Sequence, residues 1–278
     1  MNARLLFILL LFTIGALWYI IGYWRRKAGE AAFAAARLTE TSEERERYCR
    51  LAVMAGHREA CRMFCLLHPE RFDGHSPHKP FKLRGIRISF YGYYYPSRYN
   101  ALLNDEQRAF CHSIYQFKQG DIHGIEFFKT CMNALQLKKR PYHIMFMPCS
   151  NWIKYGQRFK RLDWYIGKHR QDLTSGLYDV DICDARESLH EAKGGEKRIL
   201  ERNYLITGKI KGKEIIIIDD VLTTGQSVVD YKEEIERCGG KVVAAIFYGK
   251  TLSMPSMLLV QIHVWGNHIA HIIERMTK

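Results

Sequence analysis

The sequence contains no CxxC pair. Its eight cysteines are scattered over 278 residues, which leaves no framework for a zinc ribbon or knuckle. Cys61 and Cys65 stand four apart and suit one helix face better than a metal site. Reduced, buried thiols in a cytosolic domain are the expectation. Acidic residues are scarce too: 29 Asp and Glu face 42 Lys and Arg, a net charge of +13. That excess calls for an anionic partner, whether a phosphorylated substrate, nucleic acid or an anionic membrane surface, and charge alone does not choose among them. At 47% hydrophobic residues the chain has enough apolar material for a packed core.

Charge is missing altogether from Leu5 to Tyr23, LLFILLLFTIGALWYIIGY. As a helix rising ~1.5 Å per residue, this run matches a hydrocarbon core of ~30 Å. Trp18, Tyr19, Tyr23 and Trp24 gather at its end like an aromatic belt, and Arg25, Arg26 and Lys27 follow. The expectation is a single-pass membrane anchor over residues 5–23, with the bulk of the chain cytoplasmic because the following cations outweigh Arg4. The rival is a cleaved signal peptide, with the Ala-rich residues 31–36 as the processing region.

Composition divides the rest. Residues 1–27 are the anchor and its basic flank. Residues 28–80 are a helical spacer and linker, in which YCRLAVMAGHREACRMFCLL resembles a single Sel1 or tetratricopeptide-type helix pair with Gly56 in its turn. One such pair cannot bury its own apolar face. Residues 81–141 lead into the core, which occupies 142–278. In the lead-in, the tyrosine cluster around FYGYYY with Arg84, Arg87 and Arg98 suits either stacking on nucleic-acid bases or a β-like edge packed on its own domain.

The central stretch is Glu214 to Ser227, EIIIIDDVLTTGQS. Four isoleucines bounded by turn chemistry read as a strand buried on both faces, hence a parallel sheet covered by helices. Ligands of such sheets sit outside the strands' carboxyl ends, where Asp219 and Asp220 fall. Thr223 and Thr224 bring hydroxyls, Gly225 lets backbone approach an anion, and the following helix offers unpaired N–H groups. Carboxylates beside a phosphate cradle accept hydrogen bonds from vicinal hydroxyls, so the combination suits a sugar phosphate.

IIIIDDVLTTG resembles the phosphoribosyl-pyrophosphate (PRPP) motif of type I phosphoribosyltransferases: four apolar residues, two acidic, two variable, then Thr-Thr-Gly. Flanking segments narrow the resemblance to the ComF-like, amidophosphoribosyltransferase-like subgroup. They are FKQGD with HGIEFFKTCMNAL, the strand YHIMFMPCSNW, and Arg202-Asn203 before the motif strand. The resemblance implies an α/β fold with a parallel sheet flanked by helices. It implies that Asp219 and Asp220 hold the ribose and take part in catalysis. Val221, Leu222, Thr223, Thr224, Gly225, Gln226 and Ser227 would take the 5′-phosphate, and Cys149, Ser150, Asn151 and Arg202 the pyrophosphate. It further implies Mg2+, bound mainly through PRPP, a nitrogen acceptor, and a basic lid within 184–212 that keeps water from an oxocarbenium-like transition state. A dimer stays open.

Two departures limit what is carried over. The subgroup's cysteine-rich zinc module is missing, so a role in DNA uptake does not follow. Its helical pattern, an arginine followed by glycine, phenylalanine, asparagine and glutamine, appears here as Gln157-Arg158-Phe159-Lys160-Arg161. No segment supplies a hood for an acceptor base. A non-catalytic PRPP or nucleotide sensor, and a nucleic-acid-handling, competence-related protein, are therefore the alternatives to a transferase. At the C-terminus MLLVQIHVW reads as a last strand, followed by a short helix whose His268, His271 and Glu274 make a weak metal set.

Overall fold

The computed structural model describes residues 3–122, 124–182 and 203–277; the side chains of residues 3–6, 8 and 9 lie outside that description. The first elements are helices α1 (Ala3–Leu38), α2 (Ser42–Met54), α3 (Arg58–Leu67) and α4 (Pro69–Asp73). Strands β1 (Phe81–Leu83) and β2 (Ile86–Tyr94) follow, then α5 (Asp105–Gln119), α6 (Ile125–Leu135), β3 (Tyr142–Phe146) and α7 (Trp152–His169). The remainder is β4 (Leu173–Ser175), β5 (Val180–Ile182), β6 (Tyr204–Ile206), β7 (Glu214–Leu222), α8 (Gln226–Arg237), β8 (Lys241–Thr251) and α9 (Met257–Met276). They form two compact units. One comprises Met1–Gly74, Ala101–Leu103 and Ser253–Lys278; the other comprises His75–Asn100 and Asn104–Leu252.

The first unit is helical. Thr41 caps α2 by accepting from the Glu44 N–H, and His57 caps α3 by accepting from Ala60. Between them Gly56 takes φ +89, a left-handed turn that other residues adopt only at a cost. Cys49, Ala52, Ala60, Phe64 and Cys65 are buried. The apolar face that this pair cannot cover alone meets two further helices. Gly29 of α1 lies where a Cβ would come within 3.1 Å of Ala55, Arg25 donates to the Ala55 carbonyl at 3.0 Å, and Gln261 of α9 donates to the Val53 carbonyl at 3.3 Å. Phe33 stacks on His57 with ring centres 4.4 Å apart.

The expected single-pass anchor, and the membrane location drawn from it, need correction. Among the described residues no helix is long and apolar enough to cross a membrane. Residues 5–23 do not form a separate element: α1 runs on without a break through Arg25, Arg26, Lys27 and Glu30, 36 residues in all. That is about 54 Å of helix at ~1.5 Å per residue, and its later turns pack on α2 as just described. The large apolar side chains described between Leu10 and Trp24 are exposed.

The C-terminal strand also gives way to helix. Ser256 caps α9 by accepting from Leu259, and Val260 and Val264, one helical turn apart, are its buried residues. The apolar run, interrupted only by Gln261 and His263, imitates a strand, and the four-residue spacing of the two valines carries the helical signal.

The second unit is α/β. Six strands lie in the order β1-β2-β8-β7-β3-β4. All neighbours are parallel except the β1–β2 hairpin at the edge. Ile215 to Ile218 are fully buried, as a strand covered on both faces requires. Ile216 and Ile218 join the cluster made by Phe117, Phe127, Phe128 and Phe159 of α5, α6 and α7. Ile215 faces the other way, and a Cβ on Gly240 would strike both it and Ile235 of α8. The sheet is thus flanked by helices, as expected. Residues 177–182, LYDVDI, yield only the short β5, which pairs antiparallel with β6 in a separate two-stranded ribbon. The sheet edge is β4 instead.

One arrangement places α5. Gly92 of β2 and Gly249 of β8 are register partners near the carboxyl ends of adjacent strands. A Cβ on Gly92 would reach the Phe110 ring at 2.6 Å, and one on Gly249 would reach Ile114 at 2.6 Å. Lys118, one turn further along α5, reaches Asp220 on β7. The helix therefore traverses three neighbouring strands near their carboxyl ends, with a contact at each turn.

Candidate functional site

β7 and β3 are adjacent and parallel, so their carboxyl ends open on the same side. Asp219 and Asp220 lie at the end of β7, with side chains 14% and 9% exposed. Two carboxylates so enclosed repel each other and demand positive charge. Arg158 of α7 supplies it, 2.8 Å from Asp220 Oδ2 and 3.8 Å from Asp219 Oδ1. Lys118 adds a second cation 3.4 Å from Asp220 Oδ2. The Asp220 N–H donates to Asp219 Oδ1 at 2.8 Å. Burial, then the neighbouring Asp220, push the Asp219 carboxyl up to about 7, against the pull of Arg158, the Asp220 N–H and Lys118. Arg158 Nε is buried without a hydrogen-bond partner.

The cradle follows. Val221 packs against the core and Leu222 is buried, so these two positions contribute structure. Thr223, Thr224, Gln226 and Ser227 are exposed. Gly225 takes φ +78 at the N-terminus of α8, and a Cβ there would lie 2.2 Å from Leu83. Gly225, the N-cap of α8, has no side chain to cap it; the Gln226 N–H donates to Thr224 Oγ1 at 3.4 Å, and the N–H groups that follow face the loop. The β1–β2 turn meets the same loop: Arg84 and Gly85 both have positive φ, as a two-residue hairpin demands, and Arg84 donates to Gln226 Oε1 at 2.7 Å.

At the end of β3 the polar groups are engaged with the protein itself. Asn151 caps α7, accepting from the Lys154 N–H at 2.9 Å. Asn203 donates to the carbonyls of Cys149 and Ser150, at 3.2 and 3.4 Å. Burial pushes the Cys149 thiol up to about 12, so it remains protonated near neutral pH and fills space. Arg202 and most of the expected lid fall on residues 183–202, outside the described residues. The pair that most looks like a catalytic dyad is elsewhere: His143 Nε2 lies 2.8 Å from Asp179, with Nδ1 2.7 Å from Thr174. His143 is the second residue of β3, at the opposite end of the strand, and it ties β3 to the β4 edge.

The site thus gathers Asp219, Asp220 and the 223–227 cradle around two cations that lie outside the motif. Lys118 belongs to FKQGD. Arg158 stands in the helix whose pattern departs from the ComF-like one. The clue that could have found them is electrostatic, since two adjacent buried carboxylates require counter-charge from neighbouring helices.

Comparison with known proteins agrees with this geometry. Residues 171–251 match the family model of the phosphoribosyl transferase domain, which takes in β4 to β8 with the acid pair and cradle. Fold, site and match together support the type I phosphoribosyltransferase superfamily. An orotate phosphoribosyltransferase of Sulfolobus acidocaldarius is 42% identical over 57 residues, covering 20% of this chain and 26% of that protein. The match therefore spans about a quarter of that relative's length.

Proposed function

We propose that the protein binds PRPP and transfers its phosphoribosyl group to a nitrogen acceptor, releasing pyrophosphate. The observation that carries this reading is the acid pair at the end of β7, balanced by Arg158 and Lys118 and followed at once by the Thr-Thr-Gly cradle. The ribose hydroxyls donate to Asp219 and Asp220. Thr223, Thr224, Ser227 and the open N-terminus of α8 hold the 5′-phosphate. Backbone groups of the Cys149–Asn151 loop, with Arg202, meet the pyrophosphate. The acceptor lone pair forms the N–C1 bond as the C1–O bond breaks, and that bonding pair leaves with pyrophosphate. The two carboxylates favour the positive charge that develops at C1. Oxygen donors of this kind fit Mg2+, with Asp219 and Asp220 as the residues at hand, and the ion would neutralise charge on the leaving group. The ComF-like subgroup is the finer placement, resting on Lys118 in FKQGD and on Asn203 before the motif strand.

A second reading draws on Arg158. A buried guanidinium already seated on the carboxylates also suits a protein that senses PRPP and catalyses nothing. Titration calorimetry of the full chain with PRPP and Mg2+, followed by pyrophosphate release against a panel of bases and amines, separates the two. Binding with release supports transfer; binding with none supports sensing. Equal behaviour of wild type and the Asp219→Asn/Asp220→Asn double variant, with no binding, would sink both.

A further inference from the structure

A cavity of about 330 Å3 lies between α5 and the segment that follows β2. It is within the range of small-ligand sites, at the end suited to a compact molecule. Its walls are aromatic: Tyr94 and Tyr95 on one side, Tyr115 on the other. Its polar groups are basic or neutral, with Arg108, His112 and Lys118 of α5 among them and no carboxylate in the lining. Asp105 does hold Arg108, at 2.6 Å, but the carboxylate is almost fully exposed, and so weak a surface pair yields to an incoming anion. Lys118 is common to both places: it lines this cavity and stands 3.4 Å from Asp220. The traverse of α5 over Gly92 and Gly249 toward Asp220 brings the cavity to the carboxyl ends of the strands, where the acid pair sits. A second cavity, of about 470 Å3, opens on α7 between Trp152 and Tyr178, but its lining includes neither Lys118 nor the acid pair.

We infer that the α5 cavity is the acceptor site, and that it takes a planar nitrogen heterocycle carrying negative charge near neutral pH. This rests on the reading of the acid pair as a PRPP site. Tyrosine rings stack on a flat heterocycle whatever its substituents. The basic lining selects for negative charge and against cationic amines. Lys118, paired with Asp220, marks the end of the cavity nearest the ribose carbon that is attacked. A ring nitrogen without a proton donates its lone pair to C1, and the C1–O bonding pair departs with pyrophosphate, so no base is needed at the attacking atom. The cavity supplies the hood for which the sequence shows no definable segment, because its parts come from the end of β2 and from one face of a helix more than ten residues later.

The test uses the full chain with PRPP and Mg2+. Pyrophosphate release is measured with urate and cyanurate, both flat and anionic through a deprotonated ring nitrogen, against uracil, adenine and ammonium chloride. Release with at least one anionic heterocycle is expected. Its KM should rise about tenfold in Tyr115→Ala, the worth of one stacked ring, while PRPP affinity by calorimetry stays unchanged. Tyr115 is 58% exposed, so its truncation leaves the core intact; His112→Ala serves as a second variant. PRPP binding with release only from ammonia or neutral bases, with no release at all, or with KM unmoved in both variants, overturns the assignment. Absence of PRPP binding is a failure of the underlying reading instead. In that case saturation-transfer NMR of barbiturate decides: transfer lost in Tyr115→Ala supports the cavity as a heterocycle site, and no transfer to wild type overturns it.

Discussion

The two strand ends that meet at the candidate site treat their polar groups in opposite ways. At the end of β3, Asn151 is committed to the α7 cap and the Cys149 and Ser150 carbonyls to Asn203. At the end of β7, Thr223, Thr224 and Ser227 are exposed and α8 has no side-chain cap. The first loop is held in shape by its own hydrogen bonds and presents what remains, chiefly backbone. The second ties only the Gln226 N–H, to Thr224 Oγ1, leaves the exposed hydroxyls at the surface, and fixes their position through Gly225 and Leu83. One end is rigid through satisfied groups, the other through sterics, and only the second advertises its role in residue types.

That contrast can be broken most forcefully at Asp220. Asp220→Asn removes the closest partner of Arg158 and leaves a buried guanidinium short of counter-charge, an expected loss of about 3 kcal/mol in a denaturant melt, together with loss of PRPP binding. Retention of wild-type stability would show that the cations are not held by the pair. Next comes Gly225→Ala, which puts a Cβ at positive φ and into Leu83. A loss of about 1–2 kcal/mol is expected, with weaker PRPP affinity by calorimetry. An equally stable variant would mean the loop is not sterically set.

Asp219 gives a pH signature. Its carboxyl is held up to about 7 against 3.8 when free of the fold, so the folded state keeps a proton that the unfolded state releases. Stability from this group is complete below about pH 4 and is lost as pH rises toward about 7. The melting temperature of wild type should therefore fall relative to Asp219→Asn across that window, and parallel curves would refute the shift. The smallest effect belongs to the other strand end. Asn151→Ala removes the α7 cap, at about 1 kcal/mol, with PRPP affinity reduced only modestly if backbone does the holding there. A collapse of affinity would make the two ends alike.

Much of the second unit could be read from residues. The isoleucine run marked β7 as a doubly covered strand, and β3 beside it was visible as an apolar segment ending in a polar turn. What escaped was contact between distant positions. Nothing local says that Lys118 and Arg158 converge on one carboxylate, because each sits on a helix whose orientation is decided by packing. β4 is three residues long and carries too little pattern to separate from its surroundings. The apolar C-terminal run satisfied both strand and helix, and the cap at Ser256 with the Val260–Val264 spacing was the discriminating signal. The charge-free run at the N-terminus fitted a membrane span by length and composition. Among the described residues, however, no helix is long and apolar enough to cross a membrane.

The bare strip made by Gly92 and Gly249 sets a height. Phe110 and Ile114 rest almost on the strand backbones, so a single added methyl at either glycine would raise α5 like a shim under a beam. Such a lift would carry the ammonium of Lys118 away from Asp220 and deepen the tyrosine-walled cavity at the same stroke. Side-chain volume at two positions that touch no ligand thereby governs how far the acid pair stands from whatever that cavity holds.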